Sequence, residues 1–275
     1  MSAPTDATDA AKVGLRIDAQ GLTRRYTRAD GRELHALGPI DLALRPGEFF
    51  SIVGPSGCGK STLIDILTGL APPDQGTVCA DGVPYAGKVP AGVGLVLQED
   101  ASFPWLSVWD NVAFGLKRLG RSQQDIDARV THALGFMGLT EFAHARTNQL
   151  SGGMRQRMCI ARTLVLEPRF LVLDEPFGAL DQQTRLLMGD ELLRVWRETG
   201  ATVLLITHSL DEAAMLSDRV AIMSARPGTL LETIETGWDR DRDSTVASTA
   251  AFGAISGRLW ERLRGESMKS MRGAT

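Results

Sequence analysis

Apolar and polar residues alternate strictly at the start of the patterned region. Leu15, Ile17 and Ala19 form one such set and Ile40, Leu42 and Leu44 another, so residues 13–45 read as β-rich, with "ADGRE" (29–33) as a turn between them. Compact apolar runs follow at "EFFSIV" (48–53), "GVGLVL" (92–97), "RFLVLD" (169–174), "ATVLLITH" (201–208) and "RVAIMS" (219–224), each with the length of a buried strand. Helical spacing appears in "STLIDILTGL" (61–70), where Leu63, Ile64, Ile66, Leu67 and Leu70 recur until Pro72 and Pro73 end it, and again over 181–198. Strands alternating with helices imply a parallel sheet covered on both faces.

Residues 101–165 have another texture. They are helix-like throughout, with "DNVAFGLKRL" and "QQDIDARVTHALGFMGL", and hold no clear strand. The expected organisation is an α/β domain over 13–240, carrying an inserted helical subdomain at about 99–165. A frayed, disordered tail (1–12) is expected before it, and a charged segment with a short amphipathic helix at 257–264 after it (241–275). No internal repeat is visible.

Composition narrows the picture mainly by exclusion. The 275 residues are 43% hydrophobic and 23% charged, ordinary globular values, and the net charge of −3 supplies no basic field for nucleic acid. The cysteines Cys58, Cys79 and Cys159 are scattered without metal-ligand spacing, which fits a reducing compartment. The N-terminal residues lack the basic and apolar regions of a signal peptide, and no run approaches the roughly 20 apolar residues that span a bilayer. If the protein works at a membrane, another chain must hold it there. Arg258, Arg262 and Arg264 in the tail read as a solvated helix face.

The chemistry sits at strand ends. "GPSGCGKST" (Gly54, Pro55, Ser56, Gly57, Cys58, Gly59, Lys60, Ser61, Thr62) matches G-x-x-x-x-G-K-[ST] between a predicted strand and a predicted helix. Its glycines let consecutive backbone N–H groups face phosphates, Lys60 adds a full charge, the Ser61 hydroxyl suits Mg²⁺ and Thr62 a further phosphate contact. Behind the "FLVL" strand stand Asp174 and Glu175: Asp174 is a candidate for Mg²⁺, and Glu175 for the base that activates water. Alternation along a continuing strand is expected to turn the two carboxylates in opposite directions. A second glycine-rich helix start, "LSGGMRQR" (150–157), holds no carboxylate or histidine; on its own, Ser151 followed by Gly152 and Gly153 is an ordinary capped helix. Tyr26 is the sole aromatic residue before Phe49 and the candidate to stack on adenine, or to pack in the small β region.

Taken in order, "GPSGCGKST", Gln98 in "LVLQED", "LSGGM", "LVLDEP", "GALD" (178–181) and His208 in "LLITHSLDEA" resemble the nucleotide-binding subunits of ABC transporters over about residues 13–265. "FPWLSVWDNVAFGL", "DEPFGALD" and "SARPGTLLETI" are most similar to the nitrate/sulfonate/taurine importer branch. The resemblance implies a P-loop NTPase (RecA-like) core with an N-terminal antiparallel β subdomain and an inserted helical subdomain. It implies ATP and Mg²⁺ as cofactors and hydrolysis of ATP coupled to transport at the cytoplasmic face of the membrane. Gln98 would contact Mg²⁺ and water, and His208 the γ-phosphate. Asp181 would cross a dimer interface, where it can also cap the helix that follows. Two subunits would pack head to tail, with Ser151, Gly152 and Gly153 of one meeting ATP on the P-loop of the other. The family commonly has glutamine at the position of Met154, a change that leaves the backbone contacts intact. Phe103, Trp105 and Trp109 would receive a permease helix, with a solute-binding protein as an indirect partner. An importer for a small oxyanion or organic nutrient is the leading expectation; an exporter's ATPase and a non-membrane ABC ATPase are the alternatives.

Overall fold

The computed structural model describes residues 14–27, 29–98 and 101–272. The expected tail, 1–12, lies outside the described residues, as do 99 and 100 at the start of the expected helical block. In chain order the elements are β1 (Ile17–Thr27), β2 (Glu33–Leu44), β3 (Phe49–Val53), α1 (Lys60–Leu67), β4 (Gln75–Ala80), β5 (Val83–Pro84) and β6 (Val93–Val96). The helical stretch follows with α2 (Val108–Arg118), α3 (Gln123–Phe136) and α4 (Gly152–Leu164). Then come β7 (Phe170–Asp174), α5 (Gln182–Thr199), β8 (Thr202–Thr207), α6 (Leu210–Leu216), β9 (Arg219–Met223), β10 (Leu230–Glu235) and α7 (Ala250–Arg272).

Two sheets organise the chain. One is antiparallel, in the order β2-β1-β4-β5; the other runs β10-β9-β3-β8-β7-β6, parallel except for β10 against β9. The period of two in the parallel strands decides which core each side chain joins. Phe49, Leu171, Leu173, Val203 and Leu205 point to the face covered by α2, α3, α4 and α5. Phe50, Ile52, Phe170, Val172, Leu204 and Ile206 point to the opposite face, where α1 and the antiparallel sheet pack. The helical insertion therefore has no separate core: Val112, Val130 and Met158 belong to the same buried cluster as the sheet.

The structure corrects the sequence reading in three places. β4, β5 and the edge strand β10 carry no apolar run, because half or more of their positions are exposed. The C-terminal helix is not short; α7 spans 23 residues, with Phe252, Ile255, Leu259 and Leu263 packed on Val53, Val220 and Ile222. Gly253, Gly257 and Gly265 disguise it in the sequence, since each glycine costs a helix about 1 kcal/mol that this packing offsets. The third correction is Glu175, whose φ of 46° ends the strand geometry at Asp174.

Candidate functional site

Six of the helices begin alike. Ser107, Ser122, Ser151, Asp181, Ser209 and Thr249 each accept a hydrogen bond from the backbone N–H three residues on, stabilising α2, α3, α4, α5, α6 and α7 by about 1 kcal/mol apiece. α1 departs from them. Its N-cap is Gly59 at φ 113°, with no side-chain cap, so its first-turn N–H groups face outward for another acceptor. A side chain could not replace that glycine: an added Cβ would lie 2.7 Å from the Ala36 carbonyl oxygen.

β3 delivers this loop to the carboxyl edge of the parallel sheet, and its neighbours deliver the rest. Tyr26, Leu34, Ala36, Ser56, Gly57, Gly59, Lys60, Ser61, Thr62, Gln98, Asp174, Glu175 and Arg226 line one cavity of about 350 Å³. Lys60 is buried, and its Nζ donates to the Gly54 and Pro55 carbonyls at 2.8 and 3.0 Å. Cys58 lies beneath the loop, where burial pushes its thiol pKa up. Tyr26 stands at the cavity's rim with its hydroxyl 3.4 Å from Thr62 Oγ1.

The two carboxylates differ in environment. Asp174 is buried, and its pKa is pushed up to about 6, first by that burial and then by the negative charge of Glu175, with Lys60 pulling the other way. Glu175 is pinned by its own N–H, which donates to the Ile206 carbonyl at 2.8 Å. Its Oε2 accepts from Gln98 Nε2 at 2.9 Å and lies 3.2 Å from His208 Nδ1. The residues at the ends of β6, β7 and β8 thus meet at one oxygen. The positive φ of Glu175, and not the β-strand alternation expected from the sequence, sets where its carboxylate stands.

A hard divalent cation suits this chemistry. Asp174 and the Ser61 hydroxyl line the cavity beside the phosphate loop, and Mg²⁺ characteristically takes one or two such oxygens plus substrate phosphates. A cation would relieve the raised pKa of Asp174 by favouring its ionised form. No cluster of three or more acidic, histidine or cysteine ligands exists among the described residues.

Chain-wide comparisons decide the family. A family model described as ABC transporter matches residues 37–178. The chain belongs to the ABC transporter family. The cassette is an ATPase whose hydrolysis of ATP drives transport. The taurine import ATP-binding protein of Burkholderia pseudomallei is 47% identical over 78% of this chain and 82% of its own. That of Pseudomonas aeruginosa is 43% identical over 82% of this chain and 85% of its own. An uncharacterized ABC transporter ATP-binding protein of Methanocaldococcus jannaschii is 39% identical over 96% of both chains. Among solved structures, an ATP-binding cassette, dimeric in a post-hydrolysis state with ADP and Pi, is 29% identical with a TM-score of 0.72, over 80% of this chain and 98% of its own.

Ser151, Gly152, Gly153 and Asp181 stand outside the cassette's cavity. Ser151 accepts from Met154 N at 3.2 Å; an added Cβ on Gly152 would meet nothing within 4 Å, whereas one on Gly153 would lie 2.9 Å from Leu180. Asp181 caps α5, accepting from Thr184 N at 3.0 Å and from its hydroxyl at 2.7 Å, which holds its carboxyl below the usual range. Phe103 packs between Trp105 and Phe114 with tilted rings and centroids 5.7 and 4.7 Å apart, with Trp105 68% exposed, while Trp109 packs against the core. Among the described residues no helix is long and apolar enough to cross a membrane. The sequence reading passes over Leu34, Ala36 and Arg226; for Arg226 the available signal was the turn chemistry of "SARPG" directly after a strand.

Proposed function

We propose that this cassette energises an importer for a small sulfonate of the taurine type, working as a dimer with permease subunits at the cytoplasmic face of a membrane. The observation that carries the ATPase chemistry is the meeting of Gln98 and His208 on one oxygen of Glu175 at the edge of the phosphate-loop cavity. The taurine-import relatives, alike over about four fifths of the chain, support the proposed substrate class.

In this reading Tyr26 supports the adenine and residues 54–62 hold the phosphates, with Lys60 turning from its own loop's carbonyls to a γ-phosphate oxygen. Glu175 accepts the proton of the attacking water. Gln98 and His208 keep its carboxylate aimed, because each holds the same oxygen from the end of a different strand. Asp174, Ser61 and Gln98 would hold Mg²⁺, which neutralises phosphate charge when bound. Ser151 to Gly153 of a second copy face the first copy's nucleotide from across the interface, and Asp181 lies at the same seam. Exposed Trp105 and Phe114, with half-buried Phe103 between them, receive a helix of the permease.

Growth tests the substrate class. A strain lacking this chain should fail on taurine as sole sulfur source while growing normally on sulfate. Undiminished growth on taurine and other sulfonates, with a defect for an unrelated solute, overturns the assignment.

A further inference from the structure

Segment 224–228, between β9 and β10, packs directly against the phosphate loop. An added Cβ on Gly228 would lie 2.2 Å from the Cys58 carbonyl oxygen, so glycine alone permits this approach of two backbones. The segment is tied to β2 through Gly228 N to the Ala36 carbonyl and Gly38 N to the Gly228 carbonyl, both 3.0 Å. Ser224 Oγ closes the turn by accepting from Thr229 N at 2.9 Å.

From this turn Arg226 reaches into the nucleotide cavity. Its Nε and Nη2 donate to the Gly57 carbonyl at 3.0 and 2.6 Å. Gly57 has φ 73°, a conformation in which glycine has little resistance to peptide rotation. The Gly57–Cys58 peptide is planar, so a guanidinium that fixes its carbonyl also fixes the opposed direction of the Cys58 N–H, which closes on the Pro55 carbonyl at 3.3 Å. Arg226 therefore holds the shape of the loop from the cavity wall.

The turn that carries Arg226 is held from α7. Glu266, 7% exposed, accepts from the neighbouring Ala225 N–H at 2.8 Å and from Lys269 Nζ at 2.6 Å. One turn on, Ser270 Oγ lies 3.4 Å from the Ser56 carbonyl. Burial of Leu259 and Leu263 against β3 and β9 fixes the helix that presents these groups.

We infer that Arg226 is a positioning residue for the phosphate loop and that Glu266 on α7 holds the turn that carries it, so the C-terminal helix sets the affinity of the ATP site. Touching the loop's carbonyl, Arg226 pre-forms the cradle before nucleotide arrives, and the gain falls on binding more than on turnover. The inference rests on the phosphate-loop assignment.

Steady-state ATPase kinetics and binding of a fluorescent ATP analogue to the full chain test it. Arg226→Ala should raise KM and Kd about tenfold, with kcat within about twofold, and Arg226→Lys should recover about a third of the loss because one donor of the fork remains. Glu266→Ala should raise KM about threefold in the wild-type background and add nothing in Arg226→Ala. An unchanged KM in Arg226→Ala, or a fall in kcat at constant KM, overturns the role of Arg226. Full additivity of the two substitutions overturns the link to α7. Should Arg226→Ala melt early, Arg226→Lys and Glu266→Ala decide by the same KM-against-kcat split. Lys60→Ala in the same assay tests the loop assignment separately: lost binding there, with Arg226→Ala binding like wild type, condemns this inference alone.

Discussion

The two glycine-rich helix starts of this cassette are built on opposite plans. At α1 the cap residue is a left-handed glycine without a capping side chain, the following lysine is buried, and neighbouring strands enclose the space in front. At α4 a serine satisfies its own helix, Gly152 after it faces open space, and Gly153 packs against Leu180. A loop that leaves its amides free and surrounds them with charge is prepared for a ligand inside its own chain. A loop that satisfies its helix and projects outward can contribute only to something another molecule brings. On the proposed reading one chain carries a nearly complete site and, elsewhere, a fragment of a second one.

The largest effects should separate these plans cleanly. Glu175→Gln keeps the shape of the carboxylate but cannot take a proton, so hydrolysis should fall about 10²–10³-fold while ATP binding persists. With ATP bound and unspent, light scattering should report a lasting dimer; a monomer at saturating ATP would show that α4 does not meet a second copy's nucleotide. Lys60→Ala and Ser151→Arg should each abolish activity, the first by losing ATP binding and the second with binding intact. Mixed in equal amounts, the two inactive variants should regain about a quarter of wild-type activity, since half the dimers then contain one intact composite site. No recovery on mixing would mean that both loops serve the same chain.

Ser151→Ala is a milder probe. It should cost about 1 kcal/mol of stability through the lost cap, seen in thermal melts without nucleotide. A further loss of roughly tenfold in turnover is expected if the hydroxyl also meets the neighbour's phosphate. Equal activity to wild type, once the melting shift is allowed for, would reduce Ser151 to a cap.

How far the sequence reaches differs between the loops for a physical reason. β3, β7 and β8 are buried on both faces, so continuous apolar runs mark them, and the residues at their ends follow at fixed positions: Lys60, Asp174, His208. Arg226 escapes because its role depends on a contact across 169 residues with a backbone carbonyl, which leaves no local pattern. Glu175 is legible as a residue but not as a geometry, since nothing in "LVLDEP" announces a positive φ. α7 hides behind its glycines and becomes visible only when its one apolar face meets β9.

The smallest predicted effect concerns contacts that lie between the two loops. Glu212, buried on α6, accepts from Thr207 Oγ1 at 2.6 Å, next to His208, and lies 3.3 Å from Arg185. Arg185 donates to the Leu180 carbonyl at 3.2 Å, and Leu180 packs where an added Cβ on Gly153 would come within 2.9 Å. Burial raises the Glu212 pKa against the opposing pull of Thr207, Arg185 and His208, with Glu175 adding to the rise. A raised native pKa means that the folded chain keeps a proton the unfolded chain has released. The stabilisation is therefore complete below the ordinary value of 4.5 and declines as pH rises through the raised one. Glu212→Gln should remove that decline while keeping an acceptor for Thr207. Its melting point relative to wild type should climb as pH rises above about 4.5, by roughly 2–4 °C for each kcal/mol involved. A constant offset across that range would show that Arg185 keeps Glu212 ionised throughout. In that case the pair is a fixed ionic brace between the loops' supports, and burial is the weaker force.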